Sequence, residues 1–416
     1  MLAFTFPGQG SQRAGAGRPW VDHPSWELVA DVADLAGRDV AALLLDAGSE
    51  ELRATRNSQL VTFTLSLLVL DAIERVGISP SACAGHSLGE YSALVASGAL
   101  GFEDSVRLVV ERGEAMQAAA EDEPGTMAAL LGIADADAEA ACQRAEGGAW
   151  VANYNAPGQV VIAGTPDGVS LAGEVAKALG ARKVLPIPVG GAFHTPLMAP
   201  ARARLRKALA HASFSDPEIP VTANVDARPH PAAGEWPGLL SAQLCSPVRW
   251  HQTLLALAAE GPGTIVEVGA GGVLTGLAKR TVPEQRLLAV ATPDDLDVLV
   301  DVVSGASPLH DYVLAHAGEH LYMSERVVVS PATGVFEPAA VPTAPASPAG
   351  PDADPGPSSP AGLPPTVEVG ALVGTVGDVE VRSPFAGSLM GHLALPGERV
   401  ITGQPVAWLR TAAAPR

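Results

Sequence analysis

A serine framed by glycines is the feature that most limits what this chain can fold into. Gly85-His86-Ser87-Leu88-Gly89 follows a short apolar segment and precedes a helix-like run that begins at Glu90. Glycines two residues before and after a serine let a strand turn sharply into a helix, with the hydroxyl at the tip and backbone N–H groups beside it. The motif therefore predicts a strand, an elbow and a helix, and it indicates an acyl-transfer nucleophile.

The residues around the motif favour the same arrangement. The apolar spacing over Ala54–Val76 predicts a helix, and Gly77–Pro80 ends it before the segment that leads to Ser87. After the serine, Tyr91–Ala96 is small and apolar, which suits a helix that packs on a sheet. Both flanks fit a strand, an elbow and a helix.

Composition limits the class of protein. A chain of 416 residues is long for one domain, and no apolar stretch is long and uncharged enough to cross a bilayer. Its formal net charge of −19 argues against nucleic acid or an anionic membrane as the main partner, because both would repel it. Met1–Pro7 resembles a first strand without the basic region of a signal peptide. The three cysteines, Cys83, Cys142 and Cys245, are widely spaced, so we expect no disulfide framework, no metal site and a cytoplasmic location.

The order of predicted elements indicates an α/β body. Strand-like and helix-like segments alternate from Leu2 to about Val303. We expect residues 1–125 and 189–304 to form a hydrolase-like body with three layers. Residues 126–188 show the order β-α-β-β-α-β, which is that of a ferredoxin-like subdomain. Such an insertion would roof a cleft over Ser87.

The composition changes after residue 304. We expect a connector at 305–323, a small β domain at 324–410 and, within it, a disordered or polyproline-like insert at 337–365, where Pro, Ala, Ser and Gly dominate. Val327–Val335 and Val379–Leu389 share a pattern of strand, Ser-Pro turn, glycine and strand. This internal repeat predicts a pseudo-symmetric β-module.

A serine hydroxyl needs a base within hydrogen-bond reach to act as a nucleophile. Of the ten histidines, His194 is the best candidate, because Gly190–Met198 is a glycine-rich loop that precedes a helix. Histidines are more often structural than catalytic, and spacing alone does not decide between the two roles. We expect His86 to pack in the wall of the site, because adjacent side chains on a tight elbow point apart.

The reaction also needs donors aimed at the developing oxyanion. The elbow offers the backbone N–H of Leu88, and a second donor is available in Pro7–Gln12, where glycines bring the backbone close to a ligand. That segment is equally well explained as a plain turn.

Taken together, five segments in order resemble the malonyl-CoA:acyl-carrier-protein transacylases, an acyltransferase family. The resemblance covers residues 1 to about 300. Its segments are Phe6–Gln12, Gly85–Tyr91, Asn153–Gln159, Ala192–His194 and Val266–Leu277.

The resemblance implies roles for individual residues. Ser87 would be the nucleophile and His194 the base, while Gln9 and Leu88 would supply the oxyanion donors through their backbone N–H groups. That family orients its histidine with a main-chain carbonyl, which would fall near Arg249 in this sequence.

It also implies a binding site for an acid. Arg112 matches the arginine that binds the free carboxylate of malonate, because a guanidinium makes two parallel charge-assisted bonds to a carboxylate. Asn155 and Gln59 match further polar positions of the pocket, although Leu60 stands where the family commonly has proline. Phe193 before the histidine goes with malonyl over methylmalonyl, a preference worth about 1–3 kcal/mol for one methyl group.

The implied activity is a ping-pong S-malonyltransferase (EC 2.3.1.39) of fatty-acid or polyketide synthesis. Malonyl-CoA would be the substrate and an acyl carrier protein the partner. Two alternatives remain. A serine hydrolase or thioesterase shares the elbow and the histidine but has no use for Arg112. A non-catalytic scaffold would not need Ser87, His194, Gln9 and Arg112 together.

Residues 324–410 resemble a biotinyl or lipoyl carrier domain, most clearly in Glu368–Gly370 and Leu395–Val406. That fold presents a lysine on a hairpin, whereas the hairpin position here holds Val373–Asp378 and the last lysine of the chain is Lys279. We therefore predict a degenerate carrier domain without covalent biotin or lipoate. It would serve docking of another pathway protein or assembly, or have no function beyond being folded.

Overall fold

The computed structural model describes residues 1–261, 263–304, 323–339, 366–384 and 387–412. The chain divides into two compact units, residues 1–310 and 311–416. None of the helices in these described ranges combines the length and the apolar character that a membrane span requires.

Strands and helices alternate along the first unit. Its strands are β1 (Leu2–Phe6), β2 (Ala82–Gly85), β3 (Thr126–Leu131), β4 (Ala149–Ala156), β5 (Gln159–Gly164), β6 (Lys183–Ile187), β7 (Val221–Thr222), β8 (Thr264–Val268) and β9 (Arg286–Val290). Its α-helices are α1 (Glu27–Ala36), α2 (Val40–Leu45), α3 (Thr55–Arg75), α4 (Gly89–Ala96), α5 (Phe102–Asp122), α6 (Asp135–Arg144), α7 (Pro166–Ala178), α8 (Ala199–Leu209), α9 (Trp236–Gln243), α10 (Trp250–Ala259), α11 (Val273–Thr281) and α12 (Pro293–Ser304). Short 3-10 helices cover Arg18–Trp20, Pro24–Trp26, Glu51–Arg53, Pro196–Met198 and Ala233–Glu235.

The body of this unit is a parallel sheet in the order β7-β2-β1-β8-β9. Phe6 pairs with Gly85 at the carboxyl ends of β1 and β2. The loops that begin at Pro7 and His86 therefore leave the sheet side by side. Parallel α/β sheets bind their ligands at this edge.

Side chains alternate between the two faces of the sheet. Phe4 and Phe6 of β1 pack on one face in a core that includes buried residues of α3 and α5. Ala3 of β1 and Ile265 of β8 pack on the other face with residues of α10 and α11. Because helices cover both faces, the body has the three layers of an α/β protein.

Residues 126–187 form an additional layer that interrupts the body. Its elements follow one another as β3, α6, β4, β5, α7 and β6, and the strands form an antiparallel sheet in the order β4-β5-β3-β6. Ala138 and Ala141 of α6 and Ala172 and Ala176 of α7 are buried in its core. The chain then returns to the body shortly before His194.

The second unit consists of antiparallel strands. They are β10 (Met323–Val329), β11 (Gly334–Pro338), β12 (Thr366–Val367), β13 (Leu372–Val376), β14 (Val379–Arg382), β15 (Gly387–His392), β16 (Arg399–Val400) and β17 (Pro405–Ala412). Two sheets form, in the orders β10-β17-β15-β12 and β14-β13-β11-β16. Apolar side chains such as Val328, Phe336 and Leu409 fill a common core.

The two repeated segments occupy corresponding places in this unit. A Ser-Pro step follows β10 at Ser330 and follows β14 at Ser383, and both serines are buried. Val376 pairs with Val379, so β13 and β14 form a hairpin with Gly377 and Asp378 at its tip.

The predicted Pro/Ala-rich insert at 337–365 begins too early. Glu337 and Pro338 belong to β11 and pair with Thr375 and Gly374 of β13. Composition misplaced this boundary because the pairing depends on a strand that is distant in the sequence. Residues 340–365 of the insert, and 305–322 of the predicted connector, lie outside the described residues.

Candidate active site

The serine elbow lies where β2 turns into α4. Ser87 has a φ of 53°, in the left-handed region that residues with a side chain rarely adopt. A Cβ on Gly85 would lie 1.9 Å from the carbonyl carbon of Gly89, and one on Gly89 would lie 2.0 Å from the carbonyl oxygen of Phe6. Both glycines are therefore needed for space. Strained residues of this kind cluster at active sites, where the surrounding contacts hold them.

His194 contacts the serine hydroxyl. Its Nε2 lies 2.7 Å from Ser87 Oγ, and its Nδ1 lies 2.8 Å from the backbone oxygen of Gln243. A carbonyl oxygen only accepts hydrogen bonds, so Nδ1 carries the proton and Nε2 is free to accept one from the serine. Burial and the positive charge of Arg112 lower the pKa of His194 to about 3. The ring is therefore neutral near pH 7 and has the protonation state of a general base.

The carbonyl that orients His194 is not the predicted one. We expected it near Arg249, but the Arg249 carbonyl accepts the N–H of Thr253 in the first turn of α10. Gln243 is the last residue of α9, where carbonyl groups lack the intrahelical donor available further inside the helix. Its oxygen accepts the Ser246 N–H at 3.4 Å and has a second lone pair for the Nδ1–H of His194.

The two expected oxyanion donors lie on adjacent loops. Gln9 follows β1 and Leu88 follows Ser87, and Gly8 is so close to the elbow that a Cβ there would lie 2.4 Å from the carbonyl oxygen of His86. Within the part of the chain that the structure describes, neither the Gln9 nor the Leu88 backbone N–H donates to another protein group. Both are available to the oxygen of a ligand.

Arg112 is buried beside the nucleophile. It is 1% exposed, and its Nη2 lies 3.1 Å from Ser87 Oγ. The side-chain oxygen of Gln59 accepts from Nη1 at 2.8 Å, and that of Gln243 accepts from Nη2 at 3.0 Å. No carboxylate among the described residues lies within salt-bridge distance of Arg112. Amide oxygens thus hold the guanidinium without cancelling its charge, which stays available to an anionic ligand.

Gln59 contacts Arg112 and is not among the residues that line the cavity, so its expected role in substrate binding stays a prediction. It is fully buried in α3, and its Nε2 lies 3.3 Å from Met116 Sδ. A polar side chain at this position of α3 suits either role, so the sequence could not separate a ligand contact from an arginine contact.

A cavity of about 460 Å³ opens over Ser87, between the body and the inserted layer. The body contributes Gln9, Ser87, Arg112, Phe193 and His194 to its lining. The insert contributes Met127, Asn153, Asn155 and Val161. A volume of this size is typical of small-molecule sites. The described residues contain no cluster of three His, Cys, Asp or Glu side chains that could hold a metal ion.

His86 and Asn155 form one wall of the cavity. His86 Nε2 lies 2.9 Å from Asn155 Oδ1, and the edge of its ring packs on Trp250 with the ring centroids 5.4 Å apart. His86 therefore lies in the wall, as the sequence analysis expected, while His194 contacts the serine.

Buried polar residues that the sequence analysis did not single out form hydrogen bonds with the backbone of the elbow. Asn224 accepts the Ser87 N–H at 2.7 Å and donates to the Gly85 carbonyl at 2.6 Å. Glu90 Oε1 accepts the Asn224 N–H at 2.6 Å. Gln243 Nε2 donates to the Ser87 carbonyl at 2.9 Å and to Glu90 Oε2 at 2.5 Å. All of these side chains are buried, so each polar group needs the partner it has.

The sequence contained a signal for two of these residues. Glu90 directly follows the elbow motif, and Asn224 follows the short strand β7 at the edge of the sheet where the serine lies. Gln243 has no comparable signal, because a glutamine at the end of a helix is ordinary. Its importance depends on contacts with residues more than 100 positions away, such as Glu90 and Arg112.

Comparison with known proteins gives a consistent result for the first unit. The family model described as "Acyl transferase domain" matches residues 3–302. The malonyl CoA-acyl carrier protein transacylase of Bacillus subtilis (strain 168) is 41% identical over 310 residues, which are 73% of this chain and 97% of that protein.

Solved structures show the same likeness. An acyl carrier protein S-malonyltransferase from Vibrio cholerae has a TM-score of 0.69 at 38% identity and covers 72% of this chain and 99% of its own. The malonyl-transacylase PlMCAT, solved in complex with the type II PKS acyl-carrier protein AntF, has a TM-score of 0.70 at 37% identity, with coverage of 72% and 99%.

Proposed function

The chain belongs to the acyl transferase family, and we propose that it is a malonyl-CoA:acyl-carrier-protein transacylase (EC 2.3.1.39). It transfers a malonyl group from malonyl-CoA, through a seryl ester, to the phosphopantetheine thiol of an acyl carrier protein in fatty-acid or polyketide synthesis. The observation that carries this proposal is Arg112, a buried cation held by two neutral amides at 3.1 Å from the nucleophile. A hydrolase of uncharged esters has no use for such a group.

In the first half-reaction Ser87 attacks the thioester carbonyl of malonyl-CoA. Its hydroxyl proton moves to His194 Nε2 as the new C–O bond forms, and the Gln243 carbonyl stabilises the resulting imidazolium. The backbone N–H groups of Gln9 and Leu88 donate to the tetrahedral oxyanion. When the C–S bond breaks, the proton on His194 passes to the departing CoA thiolate.

The second half-reaction runs the same steps with the carrier thiol as the nucleophile. His194 takes the thiol proton, the sulfur attacks the seryl ester and the same N–H groups bind the oxyanion. Collapse of this intermediate breaks the ester C–O bond, and Ser87 recovers its proton from His194. The products are the malonyl carrier protein and the free enzyme.

Acid selectivity comes from Arg112. The carboxylate of the malonyl group takes the remaining N–H of Nη1 and the Nη2 N–H that contacts Ser87 Oγ in the free enzyme. An acetyl group leaves the buried guanidinium without an anionic partner, which costs transition-state stability. Phe193 lines the same cavity and limits the space available for a methyl branch.

The inserted layer serves as a ferredoxin-like roof over this chemistry. Its strand order β4-β5-β3-β6 with α6 and α7 supports that assignment. Asn155, one of its residues, binds His86 in the cavity wall. The roof would limit the access of water to the seryl ester between the two half-reactions.

The second unit is a degenerate carrier domain of the biotinyl or lipoyl type. Its pair of antiparallel sheets and the exposed hairpin tip at Gly377–Asp378 support this. The tip lacks the lysine that biotin or lipoate attachment requires. The domain then serves docking of another pathway protein or assembly, or has no function beyond being folded. Intact-mass measurement of the full chain tests this assignment, since a covalent biotin or lipoate adduct would refute it.

The test of the transferase is acyl labelling followed by transfer. The full chain is incubated with malonyl-, methylmalonyl- or acetyl-CoA, and the mass of the acyl-enzyme is recorded before and after addition of a holo acyl carrier protein. We expect malonyl to label the wild type most, and Ser87→Ala to abolish labelling. Ser92→Ala is the control, because Ser92 is a buried serine of α4 that does not line the cavity, and this variant should keep the label.

Two results would overturn the transferase. Labelling of Ser87→Ala would show that another residue is the nucleophile. Release of free malonate without transfer to the carrier thiol would make water the acceptor and the protein a thioesterase.

A further inference from the structure

The side-chain amide of Gln243 lies between a group that only accepts hydrogen bonds and a group that only donates them. Its Nε2 donates to Glu90 Oε2 at 2.5 Å and to the Ser87 carbonyl at 2.9 Å. Its Oε1 accepts from Arg112 Nη2 at 3.0 Å. A carboxylate cannot donate and a guanidinium cannot accept, so these neighbours permit one orientation of the amide.

We propose that Glu90 is a positioning residue for acid recognition: it turns the Gln243 amide so that its oxygen faces Arg112, and thereby aims the guanidinium at the substrate carboxylate. This inference rests on the proposed function, because it concerns selection of a malonyl group. Glu90 touches neither Ser87 Oγ nor the cavity, and it acts through Gln243.

The position of Glu90 explains why it does not cancel the charge it helps to aim. It is 1% exposed, and both of its oxygens are occupied by protein donors, the Asn224 N–H and Gln243 Nε2. The charged groups that face it are Arg112 from α5 and Asp226 from the loop after β7. The amide of Gln243 separates Glu90 from Arg112. The guanidinium therefore has an oriented acceptor in the Gln243 amide, and no carboxylate within the described ranges occupies the N–H groups that would bind the ligand.

Glu90→Gln separates this role from plain core packing, because it keeps the shape of the side chain. Oε1 of the substituted residue still accepts from the Asn224 N–H, which leaves its new NH₂ group facing Gln243. This NH₂ group then faces the NH₂ group of Gln243, and turning the Gln243 amide would instead set its oxygen against the Ser87 carbonyl and its NH₂ against Arg112. Either arrangement brings two like groups together, so the Gln243 amide is displaced and the guanidinium loses its oriented acceptor while its charge remains.

The experiment compares kcat and KM for acyl-enzyme formation from malonyl-CoA and acetyl-CoA in the full-length wild type and Glu90→Gln. It is run at about pH 8, because burial raises the pKa of Glu90 to about 7. We expect the malonyl-over-acetyl ratio of kcat/KM to fall by about tenfold or more, chiefly through a higher KM for malonyl-CoA.

Glu267→Gln is the matched control. Glu267 is also 1% exposed, and its oxygens accept from the N–H groups of Gly272, Val273 and Thr275. It contacts neither Gln243 nor Arg112, so its variant should lose thermal stability and keep the selectivity ratio.

A double-mutant cycle provides the second test. Gln243→Met removes the amide but keeps the backbone carbonyl that binds His194. Gln243→Met alone should lower the malonyl-over-acetyl ratio. Adding Glu90→Gln to it should lower the ratio no further, because both substitutions disrupt the same contacts from Glu90 through Gln243 to Arg112. If the two substitutions lower the ratio independently, so that their fold-changes multiply, Glu90 does not act through Gln243.

The outcomes separate this inference from the function it rests on. A wild type that takes no malonyl label refutes the transacylase. A wild type that takes the label, with Glu90→Gln keeping the wild-type ratio or slowing both acyl groups equally, refutes only the role of Glu90. If Glu90→Gln does not fold, the ratio in Gln243→Met decides: an unchanged ratio overturns the proposal.

Discussion

Two turns of this chain, the elbow at Ser87 and the hairpin tip at Gly377–Asp378, need glycine for different reasons. A Cβ on Gly85 or Gly89 would come within about 2 Å of backbone atoms. Gly377 has a φ of 58°, but a Cβ there would meet nothing within 4 Å. Neighbouring backbone therefore leaves no room for a side chain at the two glycines of the elbow, whereas the hairpin tip is limited only by its own backbone conformation.

The two turns also differ in what their neighbours do. Asn224 and Gln243 bind the backbone on both sides of Ser87, and His194 and Arg112 contact its hydroxyl. At the exposed hairpin tip, the Gly377 N–H donates to the Val335 carbonyl. Enclosure by polar partners therefore marks the turn that carries chemistry. Glycine content alone does not distinguish the two.

The largest effect is expected from Gly89→Ala. The new Cβ would lie 2.0 Å from the Phe6 carbonyl oxygen, so β1 and α4 must separate. We expect a loss of stability of about 3 kcal/mol or more and no detectable acyl-enzyme, measured by chemical unfolding and intact mass. Gly276→Ala is the control, because its Cβ meets nothing within 4 Å in the interior of α11, and it should stabilise by about 0.5–1 kcal/mol. Full labelling of Gly89→Ala would show that the elbow tolerates a side chain at position 89 and would contradict the steric argument.

Arg112→Ala comes next. Without the guanidinium, the malonyl carboxylate loses its charged hydrogen-bond donor. The ratio of kcat/KM for malonyl-CoA over acetyl-CoA should therefore fall by about 10- to 100-fold. Arg107→Ala is the matched control, because Arg107 lies on the same helix and pairs with Glu103 and Asp104 at the surface. It should keep the wild-type ratio. An unchanged ratio in Arg112→Ala means that another group selects the acid.

The pH dependence of acylation tests the enclosure of His194. Burial and Arg112 lower its pKa to about 3, so the base stays neutral and active as the pH falls. With acetyl-CoA, which lacks a carboxylate, the rate of acyl-enzyme formation should stay flat from about pH 8 to pH 5. An ordinary histidine would lose rate below about pH 6.5. A decline centred near that value would contradict the assigned environment, and in Arg112→Ala the decline should move toward higher pH.

The smallest effect is expected at the hairpin. Gly377→Ala should lower the free energy of unfolding by about 1–2 kcal/mol, the ordinary penalty for a left-handed residue with a side chain. It should leave the rate of acyl-enzyme formation unchanged. Thermal unfolding and acyl labelling of the full chain measure both quantities. Asp378→Ala, at the other tip position, controls for the loss of turn residues in general. A change in acylation would mean that the turn has more than a local role.

Local patterns predicted much of the fold. The helix expected over Ala54–Val76 is α3, Thr55–Arg75. The β-α-β-β-α-β order of the insert is the order of β3 to β6 with α6 and α7. These predictions succeed because periodicity and glycine punctuation act over a few residues. The predicted start of the Pro/Ala-rich insert was wrong, since Glu337 and Pro338 pair with a distant strand.

Sequence motifs were enough to identify the elbow, the likeness to acyltransferases and the candidates Ser87, His194 and Arg112. The packing of distant segments determines which groups orient the side chains of His194 and Arg112. The backbone carbonyl that accepts from His194 Nδ1 is that of Gln243 and not that of Arg249. Gln59 accepts from Arg112 and is not part of the cavity lining. The physical reason is that a motif records which residue types the backbone tolerates locally. A hydrogen-bond partner depends on how helices and strands far apart in the chain pack together, and one chain's sequence does not show that packing.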